Sequence, residues 1–300
     1  MPSMARLIRI WLLALRFPSL TASVIPVLVG TAVGAGDTFR PGLFVMALFG
    51  SMALQGGTNL VNDYYDHAQG VDAGVSLGPS GVIQRGLLSA RAVLIGGFAA
   101  FGIGAALGIA IAAVAGWPVL VLGVASVAAG YAYTAPPFKL AYRGLGELTS
   151  FTYMGPAIVM GAAYIQEEAW TWDAFLASLP IGFLVAAILH ANNLRDIEGD
   201  RLHHKRTLAS LVGRPLADYE LALLVLTPFV LAAVLVAAGT APLTGLIALA
   251  ALPAAVRLLT TLSRSRDARA LNRVLLSSVG LHLLFGLLWA LGYAAAAWGD

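Results

Sequence analysis

The sequence predicts an all-α, polytopic membrane protein of about nine transmembrane helices, and three observations predict it. The 300 residues are 59% hydrophobic and 11% charged, with mean hydropathy +0.83, whereas soluble chains carry about 25% charged residues. Apolar segments of roughly 20 residues recur over the whole length, each long enough to cross the hydrocarbon of a bilayer. The basic residues gather in alternate loops, as membrane topology demands. No stretch is left for a separate soluble domain, so residues 1–300 read as one transmembrane domain.

The elements follow in order. Met1 to Phe17 carries Arg6, Arg9 and Arg16 without a small-residue cleavage site, which marks an amphipathic cytoplasmic lead-in and not a signal peptide. The first helix covers 18–36 and the second 41–65, ending in Asn62-Asp63-Tyr64-Tyr65-Asp66. A polar loop, 67–90, follows and is rich in glycine (Gly70, Gly74, Gly78, Gly81, Gly86). The third and fourth helices cover 91–115 and 117–135, and Pro136-Pro137 stops the fourth, presenting Lys139 near the membrane surface. The fifth covers 147–165 and the sixth 173–193, ending in Asn192-Asn193-Leu194-Arg195-Asp196. A basic loop, 194–215, holds Arg201, Lys205, Arg206 and Arg214. The last three helices cover 216–238, 241–261 and 273–297. Helices two and six are then equivalent across a four-helix repeat, with one helix to spare.

With the N-terminus inside, every one of the 18 Lys and Arg except Arg40 falls on the cytoplasmic side. The other side carries Asp37, Glu167, Glu168, Asp173 and Asp300. The net charge of +3 therefore reflects topology and gives no reason to expect nucleic acid. The chain has no cysteine, which excludes disulfides, thiolate metal sites and a cysteine nucleophile.

Two matched acidic blocks end up on the cytoplasmic face, and carboxylates at a membrane face are costly enough to imply use. Asn62 and Asp66 share a helical face. Asn192, Asp196 and Asp200 continue one stripe, drifting about 40° per step. Asp72 would point the other way on a continued helix, so it joins only if the chain turns, and Gly70 permits that turn. Hard oxygen ligands of this kind suit Mg²⁺, whose usual further partner is a phosphate. If helices two and six pack together, a diphosphate bridged by two Mg²⁺ ions fits between them, with Arg85, Lys139, Arg143, Arg195 or Lys205 meeting its remaining charge. Loss of that diphosphate from an allylic carbon leaves a carbocation, which the rings of Tyr64, Tyr65, Tyr131 and Tyr133 are able to stabilise. One acidic pair at a helix end is an ordinary solvated cap; two matched blocks beside basic loops are not. His190 reads as a packed, hydrogen-bonded histidine, and His203 and His204 as solvated loop residues.

Asn62-Asp-Tyr-Tyr-Asp66 with Asp72, then Tyr133-Thr134-x-x-Pro137, then Asn192-Asn-Leu-Arg-Asp196-Ile-Glu-Gly-Asp200, resemble the UbiA superfamily of intramembrane prenyltransferases. The six-residue step from Asp66 to Asp72, Tyr142-Arg-Gly-Leu-Gly-Glu147 and Lys205-Arg-Thr-Leu-Ala209 look most like the 1,4-dihydroxy-2-naphthoate prenyltransferases of menaquinone synthesis. The resemblance implies nine helices around a central cavity in a prokaryotic-type inner membrane, with the active-site loops cytoplasmic. It also implies Mg²⁺-dependent attack of an aromatic ring on a polyprenyl diphosphate, with loss of the ring carboxylate to give a demethylmenaquinone. The chain departs from the branch at Ser80 and Gly81, where a basic residue is common, and at His203 and His204, where small residues are common. The candidate catalytic residues are Asp66 and Asp196. The metal set is Asn62, Asp66, Asp72, Asn192, Asp196 and Asp200. Substrate contacts fall to Arg85, Lys139, Arg143, Tyr133, Asn193, Arg195 and Lys205. Homogentisate, hydroxybenzoate, a chlorophyllide or a glycerol phosphate lipid are alternative acceptors. A cation-coupled transporter is the alternative class, and it requires acids near the bilayer midplane.

Overall fold

In lipid every backbone polar group has to be bonded within its own segment, so an apolar chain of this kind becomes helical. A computed structural model describes residues 3–36, 39–70, 80–264 and 267–297, and among them there are helices and no strands. We label the helices α1 (Met4–Ala14), α2 (Phe17–Gly34), α3 (Pro41–Ala68), α4 (Ala90–Ala115), α5 (Trp117–Ala132) and α6 (Gly146–Glu167). They continue as α7 (Trp172–Arg195), α8 (Ile197–Leu202), α9 (Leu208–Val212), α10 (Arg214–Ala237), α11 (Leu243–Arg264) and α12 (Ala268–Ala297).

Among the described residues eight of these, α2, α3, α4, α6, α7, α10, α11 and α12, are long and apolar enough to cross a membrane. The ninth expected helix is α5, whose 16 residues reach about 24 Å at the α-helical rise. The expected extension to residue 135 fails because Ala135 precedes Pro136, and a residue before proline is pushed out of the α region. The second helix runs past the expected residue 65 to Ala68, so Asp66 lies inside it. The sixth stops at Arg195, and Asp196 (φ −101°, ψ 10°) separates it from α8.

Starts are set by local chemistry. The Ser89 and Thr171 side chains accept from the backbone N–H groups of Ala92 and Ala174, capping α4 and α7. Proline occupies the first turn of α3, α5 and α10, where a missing N–H costs nothing. A π segment, Tyr153–Ala157, interrupts α6 at Pro156.

Packing is uneven between the halves. One large core joins α2, α6, α7, α10, α11 and α12, centred on Ile25, Ile181, Leu221, Phe285 and Trp289. The Trp289 indole N–H donates to the Ala177 carbonyl at 3.0 Å. The first and last long helices meet at Gly286, where an added methyl would lie 2.1 Å from Ile25 Cγ2. By contrast α5 buries no residue fully, and α4 turns Ile95, Phe98, Ile103, Ile109 and Val114 outward, as lipid-facing helices do. On α1, Met4, Leu7, Ile8, Leu12 and Leu13 are exposed beside Arg6 and Arg9, a pattern suited to the plane of a membrane interface. At the end of the bundle away from the acidic blocks, Arg40 pairs with Glu168 at 2.5 Å.

Candidate active site

The last turns of α3 carry three buried polar groups, Asn62, Asp63 and Asp66. Asn62 and Asp66 share a face, while Asp63 is rotated from both. Asn62 Oδ1 accepts from the Thr134 hydroxyl at 2.7 Å. Asp63 accepts from the Arg16 guanidinium and from the Ser80 hydroxyl, so it fastens the lead-in and the following loop to α3. Asp66 Oδ1 accepts from the Tyr142 hydroxyl at 2.5 Å, and its other oxygen lies 3.6 Å from the Lys205 ammonium. Gly70 then turns the chain at φ 73°, as its position required. Asp72 lies outside the described residues.

The second block straddles the break between α7 and α8. Arg195 donates two bonds to Asp196, from Nε at 2.8 Å and Nη2 at 2.6 Å, and one to Asn192 Oδ1 at 3.0 Å. The expected stripe survives the break, because Asp200 N still donates to the Asp196 carbonyl at 2.8 Å. The Asp200 carboxylate accepts from the Thr207 hydroxyl at 3.1 Å. Burial pushes Asp200 up to about 6, against the pull of the Lys205 ammonium and the Thr207 hydroxyl. Burial pulls Lys205 down, but Asp66, Asp200 and Asp196 outweigh it and leave its net shift upward. Lys205 thus ties the two blocks together electrostatically.

The remaining expected contacts divide. Lys139 donates to Gln69 at 2.6 Å and lies over the Tyr142 ring with Lys205, at 5.8 and 5.2 Å from its centroid. Arg85 is exposed and donates to the carbonyls of Ser80 and Gly81, bracing the loop that supports Asp63. Arg143 is exposed and donates to the Pro137 carbonyl at 3.0 Å. Asn193 turns away from its neighbour Asn192 and donates to Glu147 Oε1 at 2.9 Å. There it joins His190, which is fully buried and bonded at Nδ1 to Glu147 (3.1 Å) and at Nε2 to the Ala217 carbonyl (2.9 Å). The structure therefore brings Asn62, Asp66, Asn192, Arg195, Asp196, Asp200, Lys139 and Lys205 to one end of the bundle, and Asn193 into its packed interior.

Helices α3 and α7 face each other across a cavity of about 450 Å³ instead of packing along their length. Asn62, Tyr133, Asn192 and Arg195 line its mouth, with Arg16 beside them. Of the four tyrosines expected at a cation, only Tyr133 lines it; Tyr65 and Tyr131 bond to each other at 3.0 Å. Gln55 and Asn59 form a polar strip below the α3 block, facing Thr149, Ser150 and Tyr153 of α6. The candidate metal donors, Asn62 and Asn192 at the mouth with Asp66, Asp196 and Asp200 at the same end of the bundle, all offer oxygens, the hard set that suits Mg²⁺. Among the described residues no three acidic or histidine side chains enclose an ion by themselves. That fits an ion which completes its shell with substrate phosphate oxygens.

Sequence reading assigned no role to Arg16, Ser80, Thr134, Tyr142 or Glu147. Two of them carried a signal: Arg16 and Glu147 are charges at the start of apolar spans, where a charge is costly and marks a site. Tyr142 and Ser80 stand at positions already noted for the resemblance, but the acids they reach lie many positions away and nothing local announces those partners.

Residues 23–279 match the UbiA prenyltransferase family. The chain is 38% identical over 199 residues to 1,4-dihydroxy-2-naphthoate octaprenyltransferase of Bacillus subtilis (strain 168), which covers 65% of this chain and 63% of that one. It is 30% identical to 2-carboxy-1,4-naphthoquinone phytyltransferase of Synechocystis sp. (strain ATCC 27184 / PCC 6803 / Kazusa), over 97% of this chain and 95% of that protein. A UbiA homolog from Archaeoglobus fulgidus, solved bound to GPP and Mg²⁺, shares the fold with TM-score 0.62 and 17% identity, over 93% of this chain and 99% of that one. With the match running through most of the helical bundle, this membrane protein is a prenyltransferase, and the chain belongs to the UbiA prenyltransferase family.

Proposed function

We propose that the protein transfers a polyprenyl group from a prenyl diphosphate to 1,4-dihydroxy-2-naphthoate. The observation that carries this reading is one cavity of apolar depth to which both acidic blocks contribute, through Asn62 from the first and Asn192 and Arg195 from the second. The names of the two relatives support the acceptor, since both denote a naphthalene-ring acid or quinone as substrate. A fold neighbour bound to GPP and Mg²⁺ supports the diphosphate and the metal.

In this reading the diphosphate sits at the mouth, where Arg195, Lys139 and Lys205 compensate its charge. Asn62, Asp66, Asn192, Asp196 and Asp200, with Asp72, hold two Mg²⁺ ions. When bound, Mg²⁺ neutralises the charge that develops on the departing diphosphate. The allylic C–O bond breaks with its electron pair leaving on the diphosphate. Tyr133 and Tyr153 line the cavity in which the prenyl cation forms and are the aromatic rings within reach to stabilise it. The ring carbon bearing the carboxylate attacks, and loss of CO₂ restores aromaticity, giving the quinol form of a demethylmenaquinone. Glycerol phosphate lipid or hydroxybenzoate as acceptor would use the same mouth. A transporter does not suit the geometry, because the paired acids lie in the last turn of α3 and past the end of α7.

The test is product analysis of purified protein in lipid with Mg²⁺, geranylgeranyl diphosphate and a panel of aromatic acceptors, with EDTA as control. Mg²⁺-dependent prenylated naphthoquinol from dihydroxynaphthoate alone is the expected result; product from another acceptor would move the assignment within the family. We further assign the acidic blocks to the cytoplasmic face of a prokaryotic-type inner membrane. Because the chain has no cysteine, a single cysteine at Arg201 or at Glu168 reports its own side. A membrane-impermeant maleimide should label Glu168→Cys in intact cells and Arg201→Cys only after lysis; the reverse would invert the assignment.

A further inference from the structure

Two loops reach the first acidic block from a distance, and their backbones are joined to each other. Tyr142 donates to Asp66 at 2.5 Å, and the Lys205 ammonium lies 3.6 Å from the other oxygen of that carboxylate. The next residues in sequence, Arg143 and Arg206, form a single parallel backbone bridge. Residues paired in such a bridge project to the same side of it, and both arginines are exposed. Gly144 then turns the chain (φ 73°) and seats it on α9, where an added methyl would lie 3.1 Å from Leu211 Cδ1. Among the described residues neither arginine is ion-paired. The nearby acids are taken: Glu198 lies 3.7 Å from Arg201, and Asp218 accepts from Arg214 at 2.9 Å. Arg143 uses one N–H on the Pro137 carbonyl, and Arg206 has no side-chain partner. Like charges set opposite each other cost stability, so two bare guanidiniums held together by the backbone mark a place for an anion.

The surroundings say what carries that anion. Leu145 and Leu148 at the start of α6, Leu211 on α9, and Leu216 and Tyr219 at the start of α10 are all exposed. Helices α6 and α10 converge at this level, since His190 bonds Glu147 of one and the Ala217 carbonyl of the other. Exposed leucines with a tyrosine among them mark the level where hydrocarbon gives way to headgroups. We propose that Arg143 and Arg206 bind the phosphate of an acidic phospholipid in the leaflet on the side of the acidic blocks, and that this lipid raises turnover. The lipid site stands without the prenyl-transfer reading, and its effect on turnover rests on that reading. Two guanidinium forks meet phosphate oxygens in bidentate fashion, and the acyl chains lie on the leucines. Basic pockets between helices at a membrane face take acidic headgroups in this way. Because the bridge joins the two loops, an anion between the guanidiniums draws them together and keeps Tyr142 and Lys205 on Asp66.

The test is turnover of purified protein in phosphatidylcholine vesicles that contain increasing fractions of phosphatidylglycerol. Both proposed substrates are anions, so surface repulsion by the acidic lipid would by itself lower activity. In the parent, kcat should instead rise with that fraction. Arg206→Gln should raise the half-saturating fraction about fivefold, the worth of one basic residue at an acidic surface. Arg206→Lys, which keeps the charge and loses the fork, should fall between the two. Arg264→Gln, removing an exposed charge at the end of α11, should behave as the parent. Inorganic phosphate added to pure phosphatidylcholine vesicles should not reproduce the rise. A parent that turns over substrate without any rise, or an equal shift in Arg264→Gln and Arg206→Gln, would overturn the proposal. Binding is read separately by native mass spectrometry of protein taken from mixed vesicles. The parent should retain phosphatidylglycerol over phosphatidylcholine, and Arg206→Gln should lose that preference; equal retention by both would remove the site. A parent that turns over no prenyl diphosphate would sink the activity reading, and the retained lipid would still decide the site.

Discussion

The two acidic blocks look alike in sequence and are held in opposite ways. The second block is satisfied locally: Arg195 grips Asp196 and Asn192 beside it, and Thr207 supplies the hydroxyl for Asp200. The first block is satisfied from afar, by Arg16 and Ser80 on Asp63, Thr134 on Asn62, and Tyr142 and Lys205 on Asp66. The second is thus a pre-assembled unit, while the first is complete only when four separate segments have packed. The difference follows from the backbone. α3 continues as a regular helix through its acids, leaving no nearby side chain to meet them. α7 breaks at Asp196 and folds its own loop back as a partner.

The largest effects should erase the comparison. Asp66→Ala and Asp196→Ala should each abolish measurable turnover, about a thousandfold or more, since both remove a carboxylate proposed to hold the Mg²⁺ that neutralises the leaving diphosphate. Both should remain inserted and folded, and full activity in either would refute the paired-metal site. A middle tier should separate the blocks. Tyr142→Phe removes a hydrogen bond to a buried carboxylate, worth about 1.5–3 kcal/mol, and should lower kcat about tenfold or more. In the same assay Thr207→Val should cost less, because the Thr207 bond to Asp200 is the longer one, 3.1 Å against 2.5 Å for Tyr142 to Asp66. Equal losses would mean that the local and remote arrangements are energetically equivalent. Next, Lys139→Ala should raise KM for the diphosphate roughly fivefold and leave that for the aromatic acceptor nearly unchanged, as fits a point charge at the mouth. The smallest change is expected from Arg143→Ala, whose exposed guanidinium sits on the Pro137 carbonyl; KM should move less than about threefold. A larger shift would put Arg143 on the substrate.

What the sequence revealed follows the same division. Helix number, order and both acidic stripes were legible, because each depends on apolar length and on a period of three to four residues within one segment. The resemblance to a known family added the reaction, and the match over residues 23–279 bears out the family. The end of the sixth helix was legible to within two residues, 193 expected against Arg195 observed, but the short helix α8 beyond Asp196 was not, because it lies in a stretch read as a polar loop. Asn193 was grouped with the substrate contacts because it stands in the motif, yet one helical step turns it toward Glu147. Arg85 and Arg143 were read from charge alone, and charge does not say that a guanidinium will be spent on a carbonyl. The contacts of Tyr142 and Ser80 with the acids were missed because they come from tertiary packing, which leaves no periodic trace.

The meeting of α2 with α12 at Ile25 and Gly286 has a consequence for biogenesis. These are the first and last long helices of the bundle, so the contact spans nearly the whole chain, and such distant closure is slow and comes late. Until α12 enters the bilayer, α2 lacks one of its two main neighbours, α6 being the other, and the wall formed by Leu275, Leu276 and Val279 is missing from the cavity. A ribosome that stalls before residue 268 leaves a membrane-inserted product with both acidic blocks present and no enclosed space for a reactive cation. The cavity therefore acquires its last wall only when synthesis of α12 is complete.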